Sequence, residues 1–336
     1  MKEENGVFKY EEKEDGTIRI SKLTDKSLET VVIPQQIDGK PVTEIYHFAF
    51  SSCKNLTSVT IPDSVVEIGL CAFTNCSSLK SVIIPNSVTV MNDGVFSGCS
   101  GLTSVTIPDS VAEISSGAFC GCSSLTSVII PESVTKIGQV AFEDCSSLTS
   151  IEIPDSVTQI GGEAFYGCGS LTGITIPDSV TEIGHKAFYN CSSLTSVVIP
   201  NGVTDIWLRT FYGCSSLTDV TIPNSVTEIK NEAFYGCSSL TDVTIPDSVT
   251  EIGEMAFEDC SSLTNVIIPA NVKVIRRCTF HGCSSLTSVT IPSSVTKIED
   301  FAFLNCERLT TIIASTGSYA EEWAKQEHLW GKQNFR

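Results

Sequence analysis

The sequence predicts a repeat solenoid, a β-solenoid or arc of stacked 23-residue units that is mainly strand with short helical turns. Cysteine recurs every 23 residues, at Cys53, Cys76, Cys99, Cys122, Cys145, Cys168, Cys191, Cys214, Cys237, Cys260, Cys283 and Cys306. A fixed period in that range marks small units that touch only their neighbours. Six apolar positions recur with the cysteine: Leu56, Val59, Ile61, Val65, Ile68 and Phe73 in one unit, Leu240, Val243, Ile245, Val249, Ile252 and Phe257 in another. Finally, Val243-Thr244-Ile245 alternates with the period of a half-buried strand. Pro246 ends that strand, because a residue without an N–H cannot continue a ladder. One unit buries too little apolar surface to offset the entropy of ordering its backbone, so the units must stack.

The period divides the chain into a cap at 1–29, a repeat domain at 30–314 and a second cap at 315–336. In the first cap, Phe8-Lys-Tyr10 and Thr17-Ile-Arg-Ile20 flank Asp15-Gly16, a hairpin signal. Ile33-Pro34 then opens a lengthened repeat, since Pro34 to Phe50 spans 16 positions where Pro62 to Phe73 spans 11. Eleven regular 23-residue units follow that longer one. In the last cap, Ser318-Tyr-Ala-Glu321 is a capping-box pattern opening a short helix. Tyr319 and Trp323, four apart, are expected on one face of that helix, covering the open end of the core.

A net charge of -18 argues against nucleic acid or an anionic membrane as the main partner. Fifteen cysteines suggest a disulfide framework at first. Equivalent residues of stacked strands, however, lie about 4.8 Å apart with parallel side chains. Disulfides need Cβ atoms nearer about 3.8 Å and turned toward each other. The expectation is a buried column of free thiols packing as small hydrophobes; Cys71, Cys120 and Cys278 lie off the period. The segment Met1–Lys13 is charged and lacks the apolar run of a secretory signal, and no stretch is apolar enough to span a bilayer. On sequence alone the chain is expected in the cytoplasm, with no membrane insertion.

The segment Leu240-x-x-Val243-x-Ile245-x-x-Ser248 resembles the leucine-rich-repeat pattern L-x-x-L-x-L-x-x-N/C. Its continuation Val-Thr-Glu-Ile-Gly-x-x-Ala-Phe-x-x-Cys is similar to the BspA-like (Treponema-type) subfamily, over roughly residues 30 to 314. The resemblance implies a right-handed leucine-rich-repeat solenoid. It also implies a non-enzymatic protein-binding or adhesion module, of the kind found on bacterial surfaces binding host or matrix proteins. Ser64, Ser87, Ser110, Ser133, Ser156, Ser179, Ser225, Ser248 and Ser294 stand where other leucine-rich repeats carry a ladder Asn. Asn271 restores that residue, and the ladder is expected to be weakest at Gly202.

Outward-facing strand positions such as Ser58/Thr60, Ser81/Ile83, Ser104/Thr106 and Ser127/Ile129 are small and repetitive, which reads as a smooth face or a shallow, low-affinity one. Variation concentrates after the buried Phe. Tyr166, Tyr189, Tyr212 and Tyr235 hold one position in four consecutive repeats, and Trp207-Leu208-Arg209 replaces the usual Gly-x-x beside them. Stiff aromatic area with a hydrogen-bonding tip suits protein recognition, so the tyrosines with Trp207 and Arg209 are candidate partner contacts. The same row also reads as an inter-repeat stacking ladder left by duplication. Arg276 and Arg277, near His281, form the densest positive cluster and are candidates for an acidic partner, or a solvated patch.

Catalytic chemistry has little support. The four histidines (His47, His185, His281, His328) sit in no nucleophile motif. Cys278-x-x-His281-x-Cys283 holds ligand-type residues, yet Cys283 belongs to the buried ladder and should point away. The acidic row after each proline (Asp63, Asp109, Glu132, Asp155, Asp178, Asp247) lacks a calcium-loop pattern. No catalytic, cofactor or metal site is expected, and the partner is expected to be a protein bound by a monomer. An intracellular interaction scaffold, favoured by the free thiols, is the alternative to a surface adhesion module.

Overall fold

The computed structural model describes residues 2–4 and 6–326. The chain forms two compact units, Met1–Leu171 and Thr172–Arg336, each a stack of β-solenoid repeats. In the first, strands Thr30–Val32, Ser58–Thr60, Ser81–Ile83, Ser104–Thr106, Ser127–Ile129 and Ser150–Glu152 pair in parallel and in register. The middle residue of each is buried and its two neighbours are exposed. Two-residue strands form the other side of the stack, as where Glu113–Ile114, Lys136–Ile137 and Gln159–Ile160 pair in parallel. The second unit repeats the plan with Ser196–Val198 against Asp219–Thr221, and Asn265–Ile267, Ser288–Ile291 and Thr311–Ala314 together.

The strand expected over residues 243–245 does not form. Burial still alternates from Asp242 to Ile245, but the Val243 N–H donates to its neighbour's Asp242 Oδ1 at 3.0 Å. An Asp side chain there competes with the ladder for a backbone donor.

The expected short helical turns are runs of i→i+3 bonds: Ala49 N to Tyr46 O, Ser51 N to Phe48 O, Cys53 N to Phe50 O and Leu56 N to Cys53 O. They do not join into a helix, because Phe48 and Ser52 have φ of 58° and 57°. Between these turns the N–H groups of Phe48, Phe50 and Ser52 donate to Leu70 O, Ala72 O and Thr74 O of the next repeat, at 3.0, 2.8 and 2.8 Å. The same three-rung ladder recurs in the second unit, where Arg209, Phe211 and Gly213 donate to Asn231 O, Ala233 O and Tyr235 O. Non-glycine residues at positive φ cost about 1–3 kcal/mol each. Phe48, Ser52, Cys71, Asn75, Val140 and Arg209 persist here because each supplies an inter-repeat bond.

The two left-handed columns differ. The first holds Phe48, Cys71, Val140, Lys186, Arg209 and Met255 with little glycine. In the second, each of Asn75, Asp144, Asn190 and Asp259 is followed by a Gly, and for a steric reason. A Cβ on Gly98, Gly167, Gly213 or Gly282 would overlap the Oδ1 of Asn75, Asp144, Asn190 or Asp259 in the preceding repeat.

Each stack's core is a column of phenylalanines. Rings Phe73, Phe96, Phe119, Phe142 and Phe165 follow one another at 5.4–5.8 Å and nearly parallel. Phe188, Phe211, Phe234, Phe257, Phe280 and Phe303 do the same at 5.2–5.6 Å. Phe8 closes the first column edge-on to Phe50 at 6.4 Å, and Trp323 closes the second against Phe303 at 5.7 Å.

All fifteen cysteines are free. The ladder thiols do more than fill space: Cys99 Sγ donates to Phe73 O at 3.1 Å, Cys145 to Phe119 O at 3.2 Å and Cys237 to Phe211 O at 3.3 Å. The serine ladder is also present, with Ser87, Ser133, Ser156 and Ser248 donating to the carbonyls of Val65, Val111, Val134 and Val226 at 2.6–2.7 Å. Asn271 donates to Asp247 O instead. Gly202 has no hydroxyl to offer, and a Cβ there would sit 2.9 Å from the Val180 carbonyl.

At the N-terminal end, Phe8–Glu12 and Ile18–Leu23 make the expected hairpin, with Gly16 at φ 78° and Thr17 donating to Asp15 Oδ1. The chain adds Lys2–Glu4 as a third antiparallel strand. The lengthened first repeat contains a second hairpin, Gln36–Ile37 against Lys40–Pro41, turning on Asp38 and Gly39 at positive φ. The C-terminal helix spans Tyr319–Gln326. Ser318 Oγ accepts from Glu321 N as a cap should, whereas Glu321 reaches back to Gly317 N, one residue beyond the expected box. Tyr319 is exposed, contrary to expectation; Ala320 and Ala324 are the buried residues, with Trp323 packed on Phe303. Position 319 falls outside the 320/323/324 stripe that i, i+3, i+4 spacing creates. Residues 327–336, including His328, lie outside the described residues.

Three outcomes are expected. Burial raises Cys168 and Cys214 to about 12 from an ordinary value of 9.0. Below about pH 9 both folded and unfolded thiols are protonated and the stability is complete; it declines as pH rises toward the folded value, which a circular-dichroism titration would follow. Maleimide at neutral pH should leave the ladder thiols unlabelled until denaturant is added, and disulfides among them would contradict the ladder. Phe142→Ala, removing a fully buried ring between two stacked neighbours, should cost about 3–5 kcal/mol in urea denaturation.

Candidate binding surface

The Tyr column is a product of the ladder. Residue positions one repeat apart are held in register, so Tyr189, Tyr212 and Tyr235 stack with ring centroids 4.6 and 4.5 Å apart and planes within 6° and 3°. All three are half-buried, so each shows an edge and a hydroxyl rather than a face. Burial, with the nearby carboxylates Asp259 and Glu258, pushes the Tyr235 hydroxyl up to about 12, and burial raises Tyr212 as well. They therefore stay protonated donors at neutral pH. Tyr166 lies in the first unit, half-buried, its carbonyl accepting from Asp144 N.

Trp207 is 43% exposed, and Leu208 is exposed beside it. Lys230 Nζ lies 5.9 Å from the Trp207 ring and pairs with Glu228. Arg209 is less free than its sequence position suggests. Its guanidinium makes a two-pronged bond to Glu232, Nε to Oε2 and Nη2 to Oε1, both at 2.9 Å. It also sits 5.9 Å from the Tyr212 ring centre. The ion pair orients Arg209 along the tyrosine stack. Thr210, replacing the usual Ala, is buried and donates its hydroxyl to Trp207 O at 2.8 Å, closing the turn that carries the indole.

The basic pair shows the same device. Thr279 donates to Arg276 O at 2.8 Å, again in place of Ala. Arg276 pairs with Glu251 at 2.9 Å, while the Arg277 guanidinium lies 5.9 Å from the exposed Phe301 ring. His281 Nδ1 is 2.8 Å from Glu258 Oε1 and its Nε2 3.1 Å from Asn305 Nδ2. Cys283 instead points into the core toward Phe257 O, so the candidate metal triplet does not converge. Among the described residues no group of three His, Cys, Asp or Glu side chains could hold a metal ion. Glu232, Thr210, Thr279 and Phe301 were not singled out by sequence. The shared Ala-to-Thr change at 210 and 279 was the available signal.

A stacked β-solenoid whose repeats follow this pattern defines a leucine-rich-repeat protein. The model of the BspA type leucine rich repeat region matches overlapping stretches at residues 17–149, 112–216, 135–264 and 208–323, and the chain belongs to that family. A solved leucine rich cell surface protein from Faecalibacterium prausnitzii is 36% identical, with 96% of this chain and 97% of that one covered and a TM-score of 0.64. A leucine-rich repeat protein from Bacteroides ovatus is 30% identical over 98% of both chains, with a TM-score of 0.65. The pneumococcal vaccine antigen PcpA, 18% identical over 99% of this chain and 97% of its own, shares the fold at a TM-score of 0.62. No curated protein matches the sequence. The family is one of protein-binding repeat scaffolds not known as enzymes, and among the described residues no helix is long and apolar enough to cross a membrane.

The spacing of the tyrosines depends on the turn beneath them. Gly213→Ala, at φ 69° and against Asn190 Oδ1, should lower stability by about 1–3 kcal/mol. Adding Asn190→Gly should recover the steric part of that loss, which a double-mutant cycle in urea would measure.

Proposed function

We propose that this chain is a non-enzymatic adhesion module that binds a host or matrix protein as a monomer. Residues 30–314 form its repeat domain, capped by 1–29 and 315–336. The observation that carries the reading is the oriented Arg209 beside Tyr212, the middle ring of a stacked tyrosine row, in the same repeat that carries exposed Trp207. Trp, Tyr and Arg are the residue types that dominate binding energy at protein interfaces, and duplication of the repeat does not account for the indole. Tyr166, Arg276 and Arg277 are candidate contacts outside that cluster. The relative from Faecalibacterium prausnitzii, described as a cell surface protein, supports a surface role.

A second reading, an intracellular interaction scaffold, is favoured by the fifteen unbridged thiols, since oxidising compartments select for disulfides. Protease treatment of intact source cells separates the two: cleavage supports adhesion, protection supports the scaffold.

The binding surface is tested by capture. Wild type and a variant with Tyr189, Tyr212, Tyr235 and Trp207 changed to Ser, matched for folding by circular dichroism, are immobilised and exposed to matrix and serum proteins. A partner retained by wild type and reduced at least tenfold on the variant is the expected result. Equal retention by both would remove the aromatic patch from the binding surface.

A further inference from the structure

Five in-register pairings place Val32, Thr60, Ile83, Thr106, Ile129 and Glu152 in one column across six parallel strands of the first unit. Val32, Ile83 and Ile129, at every second strand, are 69, 81 and 67% exposed. The sequence reads as a smooth face here, but the register shows a regular row of apolar side chains. The neighbouring column is Thr30, Ser58, Ser81, Ser104, Ser127 and Ser150, too small to shield them.

On the other side, past the strand-ending prolines, Asp63, Asp109, Glu132 and Asp155 are exposed. With Glu152 they carry no ion pair among the described residues. Ile129, Glu132, Glu152 and Asp155 line a groove of about 340 Å³.

We propose that this face binds a basic, extended polypeptide segment in the polyproline II conformation. Its apolar residues recur at every third position, and one Lys or Arg seats in the groove at Ile129. The period selects the conformation. Alternate strands are about 9.6 Å apart, and a polyproline II helix repeats every three residues, about 9.3 Å. Over the two intervals from Val32 to Ile129 the mismatch is about 0.6 Å. An α-helix presents a heptad every ~10.5 Å and would drift by about 2 Å over the same span. A β-strand laid along the column returns to one face every ~6.7 Å and misses every second contact.

Charge selects the sequence. The aliphatic stem of a Lys or Arg would lie on Ile129 while its head meets the three carboxylates. Binding at so exposed a face weakens with salt. The track lies within residues 30–155 and shares no residue with the aromatic patch, so either proposal can fail alone.

The test uses the full chain and a fluorescent twelve-residue peptide of repeating leucine-proline-lysine, read by anisotropy. Saturable binding is expected, at least tenfold weaker for the same composition with leucine spacing scrambled and for a leucine-proline-glutamate repeat. It should weaken at least fivefold with the Ile83→Ser, Ile129→Ser pair and with the Glu132→Gln, Glu152→Gln, Asp155→Asn triple, both matched to wild type in thermal midpoint. The proposal is overturned if the lysine repeat does not bind at millimolar concentration, if the scrambled peptide binds equally, or if neither variant changes affinity. Tighter binding of a heptad-patterned basic helix would also overturn it. So would self-association in sedimentation that the Ile83→Ser, Ile129→Ser pair abolishes, which would assign the face to a second copy.

Discussion

The structure depends on backbone donors passed from one repeat to the next on the side away from the long strands. Phe48, Phe50 and Ser52 each give an N–H to the repeat that follows, and Arg209, Phe211 and Gly213 do so in the second unit. Two of every three donors come from residues in the left-handed region. A short segment in that conformation does not hold its shape alone. It holds because its donors have one set of acceptors, spaced by 23 residues, and any slip of register would leave them unpaired in a buried setting. The columns of Phe, Cys and Tyr follow, since residues at equivalent positions are placed one above another whatever their chemistry.

Variation is therefore permitted only where a side chain leaves the ladder outward. Position 209 takes an arginine because the left-handed backbone directs it over the stack, where Glu232 and Tyr212 receive it. Position 207 takes a tryptophan where Gly184 and Gly253 stand in other repeats of this unit, with Thr210 closing the turn beneath. The same substitution at Thr279 under Arg276 indicates a local rule: a bulky residue at the head of this turn accompanies a hydroxyl at its foot.

The period, core positions, N-terminal hairpin and capped C-terminal helix were all legible in the sequence, because each rests on local chemistry or strict repetition. The first left-handed column was not, since Val140 and Met255 carry no sign of positive φ; the ladder imposes it. The loss of the strand at 243–245 hinged on one Asp242 side-chain bond that the alternation of Val243 and Ile245 concealed. Tyr319 was misplaced by counting four residues from Trp323 without asking which stripe Ala320 and Ala324 define. At the candidate surface, Trp207 stood out as an interruption of the repeat, but the Arg209–Glu232 pair required knowing which residues of adjacent repeats are neighbours.

The alternation of Asn190 with Gly213, and of Asp259 with Gly282, gives the repeats a grammar. Each repeat bearing Asn or Asp at this position that has a successor in the array is followed by a glycine-bearing one, where a Cβ would crowd its Oδ1, while a glycine-bearing repeat, such as that of Gly213, is followed by its own kind at Gly236. Units of equal length are thus not freely interchangeable. Recombination between them meets a steric cost at the seam, so arrays lengthen most readily through glycine-type copies, while two Asx-type copies in succession would force the first side chain to move.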